Sequence, residues 1–75
     1  MSKREKLLAK ARNHPNGLAF SEFESLLRQC GWKFDHQTGS HRIWRSATGV
    51  VISLQKARDG KGKGYQVEQL LKYVE

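Results

Sequence analysis

Residues 32–54 read WKFDHQTGSHRIWRSATGVVISL, and this stretch decides the fold because short strand-forming segments alternate in it with turn residues. In its first part, Trp32 and Phe34 alternate with polar residues, which is the pattern of a half-buried strand. Turn residues separate this segment from two more that are rich in β-branched and aromatic residues. The stretch therefore predicts a three-stranded meander. Its later strands lie around Ile43 and Trp44 and over residues 50–54, with turns at 37–39 and 47–49.

Helical periodicity precedes this stretch. Ser2 and Glu5 have the spacing of a capping box, and apolar residues follow at helical intervals, so a short first helix is predicted. The same signature from Ser21 to Glu24 opens a second helix, for which Gly31 is a natural C-terminal stop. Residues 14–17 separate the two helices, whose apolar faces are Leu7, Leu8 and Ala11 in the first and Phe23, Leu26, Leu27 and Cys30 in the second.

A glycine-rich segment and a last helix complete the chain. Residues 55–64 end in G-K-G-K-G, which predicts a flexible basic loop rather than a helix or a strand. Apolar residues at helical spacing over 67–74 then form one face of a closing helix. The order of helix, helix, three-stranded antiparallel meander and helix predicts an α+β fold with helices on one sheet face and the other face open.

Charge and composition limit the functional classes. The 75 residues have room for one domain, and the net charge of +7 with a pI near 10.0 indicates a polyanionic partner, either nucleic acid or an acidic protein. Cys30 is the only cysteine, which excludes an internal disulfide and fits a reducing compartment. No segment has the pattern of a membrane span or a signal peptide, so a soluble, cytoplasmic protein is expected. Positive charge is concentrated at Arg42, Arg45, Lys56, Arg58, Lys61 and Lys63, against the single acid Asp59.

The segment Gly39-Ser40-His41-Arg42 carries the strongest chemical signal. A histidine side chain can take or give a proton near neutral pH, and flanking guanidinium groups can hold a phosphate. These are the ingredients of a small RNA-cleaving site, although His41 is also compatible with a solvated strand residue. Lys61 and Lys63 fit either a contact to RNA phosphate or a solvated linker, and the P-loop pattern that ATP hydrolysis would need is absent from the sequence.

Two other features have competing interpretations. His36 and His41 have a spacing seen in zinc sites, but Cys30 and His14 do not complete a paired motif, so neither a metal nor another cofactor is predicted. The aromatic residues of the strands could stack on bases, yet aromatic residues that alternate along strands are more often core. These residues are Trp32, Phe34 and Trp44.

Several motifs occur together: a capped helix ending in Cys30-Gly31-Trp32, Gly39-Ser40-His41 before a strand, a valine-rich third strand, and Gly64-Tyr65 opening the last helix. In this order they resemble the HicA family of mRNA interferase toxins. The resemblance implies a double-stranded-RNA-binding-domain-like core over residues 20–75, to which 1–19 adds a short extra N-terminal helix within one domain. It also implies an endoribonuclease that cuts mRNA, uses His41 as its catalytic group and is held inactive by a HicB-type antitoxin. Where many members carry a proline and a further histidine after the third strand, this chain has Ser-Leu-Gln-Lys at 53–56.

RNA supplies its own nucleophile, the 2′-hydroxyl group, so cleavage needs only a base, a charge stabiliser and an acid. We expect neutral His41 to be the base in a metal-independent reaction, with the acid not identified. A regular pleat turns Arg42 away from His41. The alternative function is a non-catalytic RNA-binding module of the same fold; for a DNA-binding role, no recognition helix stands out. The expected substrate contacts are Gly39, Ser40, Arg42, Lys61 and Lys63.

Overall fold

The helices and strands of the computed structural model follow the predicted order, and the structure describes residues 2–74. A 3₁₀ turn, Pro15–Gly17, links the first two helices. No helix within the described part of the chain is long and apolar enough to cross a membrane. The elements are α1 Lys3–Asn13, α2 Phe20–Gln29, β1 Lys33–Thr38, β2 His41–Arg45, β3 Val51–Gln55 and α3 Gly64–Val74.

Helix α1 begins at its predicted cap. Ser2 Oγ accepts a hydrogen bond from the backbone N–H of Glu5 at 3.1 Å, which satisfies one of the donors that the start of a helix leaves free. Its apolar residues Leu7, Leu8 and Ala11 are buried in the same core as residues of the other helices and of the sheet. The helix therefore contributes to the core, although most of its other side chains are charged.

Helix α2 begins at Phe20, earlier than the Ser21 signature predicts, and its N-cap is Ala19. The Glu22 carboxylate accepts a hydrogen bond from the backbone N–H of Ala19 at 3.0 Å, and it forms an ion pair with Lys10 of α1 at 2.9 Å. Two hydrogen bonds lower the pKa of Glu22: the one from Lys10 has the largest effect, and the one from Ala19 the next largest. The prediction that Ser21 caps α2 is wrong, because Glu22 is the carboxylate that closes the start of the helix.

The three strands form an antiparallel sheet in the order β1-β2-β3. Side chains alternate between its faces, and Trp44, Ile52 and Leu54 are buried against the helical layer. The helices therefore lie on one side of the sheet, as predicted. The opposite side, called the open face below, has no buried residue among those described; in β2 and β3 it consists of His41, Ile43, Arg45, Val51, Ser53 and Gln55.

Strand β1 differs from the half-buried strand that Trp32 and Phe34 predict. Trp32 is buried but precedes the strand, and every residue of β1 is exposed, including Phe34 at 40 %. The strand lies at an edge of the sheet and contains a bulge between Phe34 and His36. The Phe34 ring packs edge to face against Trp44 at 5.8 Å, and the guanidinium carbon of Arg42 lies 4.3 Å from its centre. The alternation of apolar and polar residues in the sequence does not distinguish such an edge strand, whose aromatic side chain is only partly covered, from a half-buried strand.

Residues 56–63 form a hydrogen-bonded loop, whereas their glycine content predicts a flexible one. A backbone pair joins Lys61 to Ala19, and a second pair closes the loop on itself. Gly62 is needed for close approach, because a Cβ atom there would lie 2.7 Å from Cδ2 of the buried Phe23 ring. The loop is thereby fixed to α2, with its lysines at defined positions.

Candidate active site

The turn between β1 and β2 places His41 at the start of β2. Strand β1 continues through Thr38, so the turn consists of Gly39-Ser40 rather than the predicted 37–39. Gly39 has a φ of +60°, in the left-handed region that favours glycine, and a residue of this kind at the first turn position suits a two-residue hairpin. Thr38 pairs with His41 across the hairpin, which fixes the face on which the imidazole lies.

His41 is exposed on the open face and is oriented by β3. Its Nδ1 atom lies at hydrogen-bonding distance, 3.1 Å, from Ser53 Oγ. Within residues 2–74 the ring makes no other hydrogen bond, so Nε2 is the nitrogen that a substrate can approach. A histidine that is held at one ring nitrogen and accessible at the other is arranged for proton transfer.

A chain of hydrogen bonds joins the basic loop to the turn beside His41. Lys63 Nζ donates to Gln55 Oε1 at 2.9 Å, and Gln55 Nε2 donates to Ser40 Oγ at 3.3 Å. Gln55 is also the partner of His41 in the pairing of β2 with β3. The structure thus brings Ser40, His41 and Lys63 together at one end of the open face.

Ser53 and Gln55 contact these residues, and the sequence motifs do not single them out. The signal that could have found them is the period of two in β3. Because Ile52 and Leu54 are apolar and buried, residues 53 and 55 must lie on the opposite face, which is the face of His41.

Arg42 lies on the helix side of the sheet, away from His41. Its Nε donates to Glu24 Oε2, and its Nη1 donates to Gln37 Oε1 at 3.1 Å. With these partners its side chain is 29 % exposed. The structure therefore separates Arg42 from the imidazole and places it in a groove with Ser40, where the remaining lining residues are Phe20, Glu24, Gln37 and Lys56.

Gly39 and Lys61 flank the cluster. The Gly39 carbonyl accepts a hydrogen bond from Gln37 Nε2 at 2.9 Å, and the Lys61 backbone N–H donates to Asp59 Oδ1 at 3.1 Å. The Lys61 ammonium group has no hydrogen bond or ion pair with any other described residue. Among residues 2–74, no three His, Cys, Asp or Glu side chains form a group that could hold a metal ion.

Comparison with models of known families gives a match over most of the chain. The model described as HicA toxin of bacterial toxin-antitoxin matches residues 20–74, from the first residue of α2 to the end of α3. Helix α1 lies outside the matched region. Comparisons with curated proteins and with solved structures find no match.

Proposed function

Since the chain belongs to the HicA toxin family of bacterial toxin-antitoxin systems, we propose that it is an endoribonuclease that cleaves mRNA, with His41 as the general base. A toxin of such a system has a cognate antitoxin as its partner. The observation that carries the proposal is the placement of His41, which is held through Nδ1, exposed on the open face, and adjacent to a turn that is hydrogen-bonded to the basic loop.

The proposed reaction begins at the 2′-hydroxyl group of the RNA. His41 Nε2 removes its proton, the 2′-oxygen attacks the adjacent phosphorus, and the bond from phosphorus to the 5′-oxygen breaks as a general acid gives that oxygen a proton. The products are a 2′,3′-cyclic phosphate and a free 5′-hydroxyl group. We propose a metal-independent reaction because the substrate supplies the nucleophile and an imidazole takes the proton.

Negative charge on the phosphate oxygens grows during the attack, and the neighbours of His41 would stabilise it. Lys63 is held near the turn through Gln55, so its ammonium group is placed for this role. The Ser40 hydroxyl and the Gly39 backbone N–H would add hydrogen bonds to the same phosphate. Lys61, whose side chain has no partner among residues 2–74, would contact a neighbouring phosphate of the strand.

Arg42 has a different proposed role because it lies on the other side of the turn. The groove that it lines with Ser40 and Lys56 continues from the turn toward α2. An RNA strand that crosses the turn would place a phosphate there, remote from the reacting bond. We therefore propose that Arg42 contributes to affinity and has no part in the chemical step.

The test is cleavage of a defined mRNA by the purified protein in the presence of a metal chelator. The His41→Ala variant is compared with His14→Ala, which removes an exposed histidine at the end of α1. We expect the wild-type and His14→Ala proteins to cut at the same positions and rates. Loss of a general base should lower the rate of His41→Ala by at least about 100-fold while its affinity for RNA changes little.

Three results would contradict the proposal. Cleavage by His41→Ala at the wild-type rate would exclude this residue as the base. Loss of wild-type cleavage in the chelator would exclude the metal-independent reaction. Tight RNA binding with no cleavage by any form would favour a non-catalytic RNA-binding module.

The partner that we propose is a HicB-type antitoxin that is acidic where it meets the toxin. A domain with a net charge of +7 and an exposed active-site turn is most simply inhibited by a protein of opposite charge that covers His41. We place this pair in the cytoplasm, where the proposed substrate is translated.

A further inference from the structure

A second histidine lies on the open face, close to His41. His36 pairs with Ile43 across β1 and β2, and Thr38 pairs with His41, so the two histidines are diagonal neighbours on one face. Diagonal neighbours in an antiparallel pair have Cα atoms about 7–8 Å apart, so two ring side chains can reach one substrate group. The His36 side chain is 56 % exposed and is accessible to such a substrate.

The bulge in β1 gives His36 a carboxylate partner. Consecutive residues of a regular strand point to opposite faces, but here the bulge before His36 allows Asp35 to contact groups of the open face. Asp35 Oδ2 lies 2.9 Å from His36 Nδ1, and it accepts a hydrogen bond from Arg45 Nη2 at 3.3 Å. Two hydrogen bonds lower the pKa of Asp35 and so keep its carboxylate ionised beside the ring: the one from His36 has the largest effect, and the one from Arg45 the next largest.

The two imidazoles are held in the same way by different groups. His41 Nδ1 contacts the Ser53 hydroxyl, and His36 Nδ1 contacts the Asp35 carboxylate. In the described part of the chain, neither Nε2 atom has a hydrogen-bond partner. A carboxylate that accepts Nδ1–H leaves the Nε2–H of a protonated imidazole as the donor toward the substrate.

We propose that His36 is the general acid of this ribonuclease, an inference that rests on the function proposed above. An in-line displacement has the attacking and the leaving oxygen on opposite sides of phosphorus. One base and one acid on the same face, separated by a diagonal of the sheet, can serve both oxygens at once. His41 serves the 2′-oxygen, and His36 serves the 5′-oxygen.

The proton balance of the step is complete. His41 Nε2 takes the proton of the 2′-hydroxyl group as the bond from the 2′-oxygen to phosphorus forms. His36 Nε2–H gives its proton to the 5′-oxygen as the bond from that oxygen to phosphorus breaks. The step leaves His41 protonated and His36 neutral, and exchange with water restores both before the next turnover.

Lys63 is the competing proton donor, because it is also linked to the turn beside His41. Its ammonium group is engaged with Gln55, and the loop lysines are better suited to stabilise phosphate charge. The experiment therefore includes a Lys63→Ala variant, so that the two candidate acids are compared directly.

The experiment uses two short RNAs of one sequence that contains a mapped wild-type cleavage site. One RNA is natural, and the other carries sulfur in place of the 5′-bridging oxygen at the scissile phosphate. A thiolate leaves without being protonated, so loss of a general acid slows cleavage of the natural RNA but not of the sulfur-containing RNA. Single-turnover rates are measured for wild type, His36→Gln, His41→Ala, Lys63→Ala and the control His14→Gln.

We expect His36→Gln to cut the natural RNA at least about 100-fold more slowly than wild type and the sulfur-containing RNA at nearly the wild-type rate. His41→Ala should be slow on both RNAs, since the 2′-hydroxyl group must lose its proton to attack in either of them. His14→Gln should match wild type on both. Glutamine at position 36 keeps a side-chain donor for Asp35, so the variant retains the contact of the bulge.

Other outcomes would overturn the inference. If His36→Gln slows cleavage of both RNAs equally, the role of His36 is structural. If this variant cuts both RNAs at the wild-type rate, His36 has no role in the reaction. If Lys63→Ala instead is slow on the natural RNA and nearly as fast as wild type on the sulfur-containing RNA, Lys63 of the loop is the general acid. If His41→Ala is inactive and His36→Gln is fully active, only this inference fails. If the wild-type protein cuts neither RNA nor longer mRNA, the proposed function fails with it.

Discussion

The indole Nε1–H of Trp44 donates a hydrogen bond to Glu24 Oε2 at 3.0 Å and so joins the buried centre of β2 to helix α2. The same carboxylate oxygen accepts a hydrogen bond from Arg42 Nε. Trp44 is completely buried, and the Glu24 side chain is only 12 % exposed. The Glu24 carboxylate therefore fixes strand β2 from the helix side of the sheet, opposite the face of His41.

Replacement of Glu24 by alanine should destabilise the fold. It leaves the buried Trp44 Nε1–H and the Arg42 Nε–H without their acceptor, which should lower the free energy of unfolding by about 2 kcal/mol. Urea denaturation at neutral pH measures the change. The control is Glu68→Ala, which removes an exposed carboxylate of α3 and should change the free energy by less than about 0.5 kcal/mol. Equal stability of the two variants would show that Glu24 does not hold the sheet to the helix.

Removal of the loop charges should weaken the dependence of RNA binding on salt. Bound lysines displace counterions from the phosphates, so Lys61→Ala/Lys63→Ala should reduce the slope of log affinity against log salt by about 0.7 for each phosphate that is no longer neutralised. Binding is measured with His41→Ala as the parent, so that RNA is not cut. A double variant of Lys3 and Lys6 in α1 removes the same charge and should keep nearly the parent slope. If the two double variants change the slope alike, the RNA does not follow the loop.

Alanine at Gly62 should destabilise the protein because the loop is packed against α2. The added Cβ would lie 2.7 Å from Cδ2 of Phe23, a fully buried ring, and overpacking of this kind costs about 1–3 kcal/mol. Thermal unfolding measures the loss of stability. Lys61→Ala, at the neighbouring exposed position, should leave the stability unchanged. A loop without fixed packing would tolerate both substitutions equally.

Binding of the antitoxin should protect the active-site turn. We expect amide hydrogen exchange in residues 39–45 to slow in the complex, and RNA to compete for the same face less effectively as salt rises. His41→Ala should still form the complex, because the substitution removes one side chain of the covered face and leaves the charge of the loop unchanged. Inhibition of cleavage with unchanged exchange in this turn would show that the antitoxin does not act by covering it.

Much of the fold could be predicted because burial follows simple periods in this chain. The apolar spacing of Phe23, Leu26 and Leu27 defines the buried face of α2, and all three are completely buried. The N-cap of that helix is ambiguous because both Ser21 and Ala19 are followed by a glutamate three residues later. The sequence does not show which of the two carboxylates accepts the hydrogen bond from the backbone N–H of the cap residue. The order of the loop is not predictable from a glycine count, because the contact of Gly62 with Phe23 is a tertiary one.

The site is only partly accessible to sequence analysis for a similar reason. The pleat of β2 correctly predicts that Arg42 points away from His41, but the pairing of Arg42 with Glu24 depends on how α2 lies over the sheet. Gln55 carries no charge and lies in a segment that the glycine content assigns to the loop, so nothing marks it as a link to Lys63. The spacing of His36 suggests only a metal ligand, because its proximity to His41 depends on the register of β1 beyond the bulge.

The alternation of faces along β2 has a genetic consequence. His41 lies outward and Trp44 inward because two residues, Arg42 and Ile43, lie between them, and removal of either one would place both side chains on the same face. Burial of the tryptophan would then turn the histidine toward the helices and away from any substrate. If His41 acts as proposed, we expect a three-nucleotide deletion that removes the codon of Arg42 or of Ile43 to inactivate the protein without a frameshift or a stop codon.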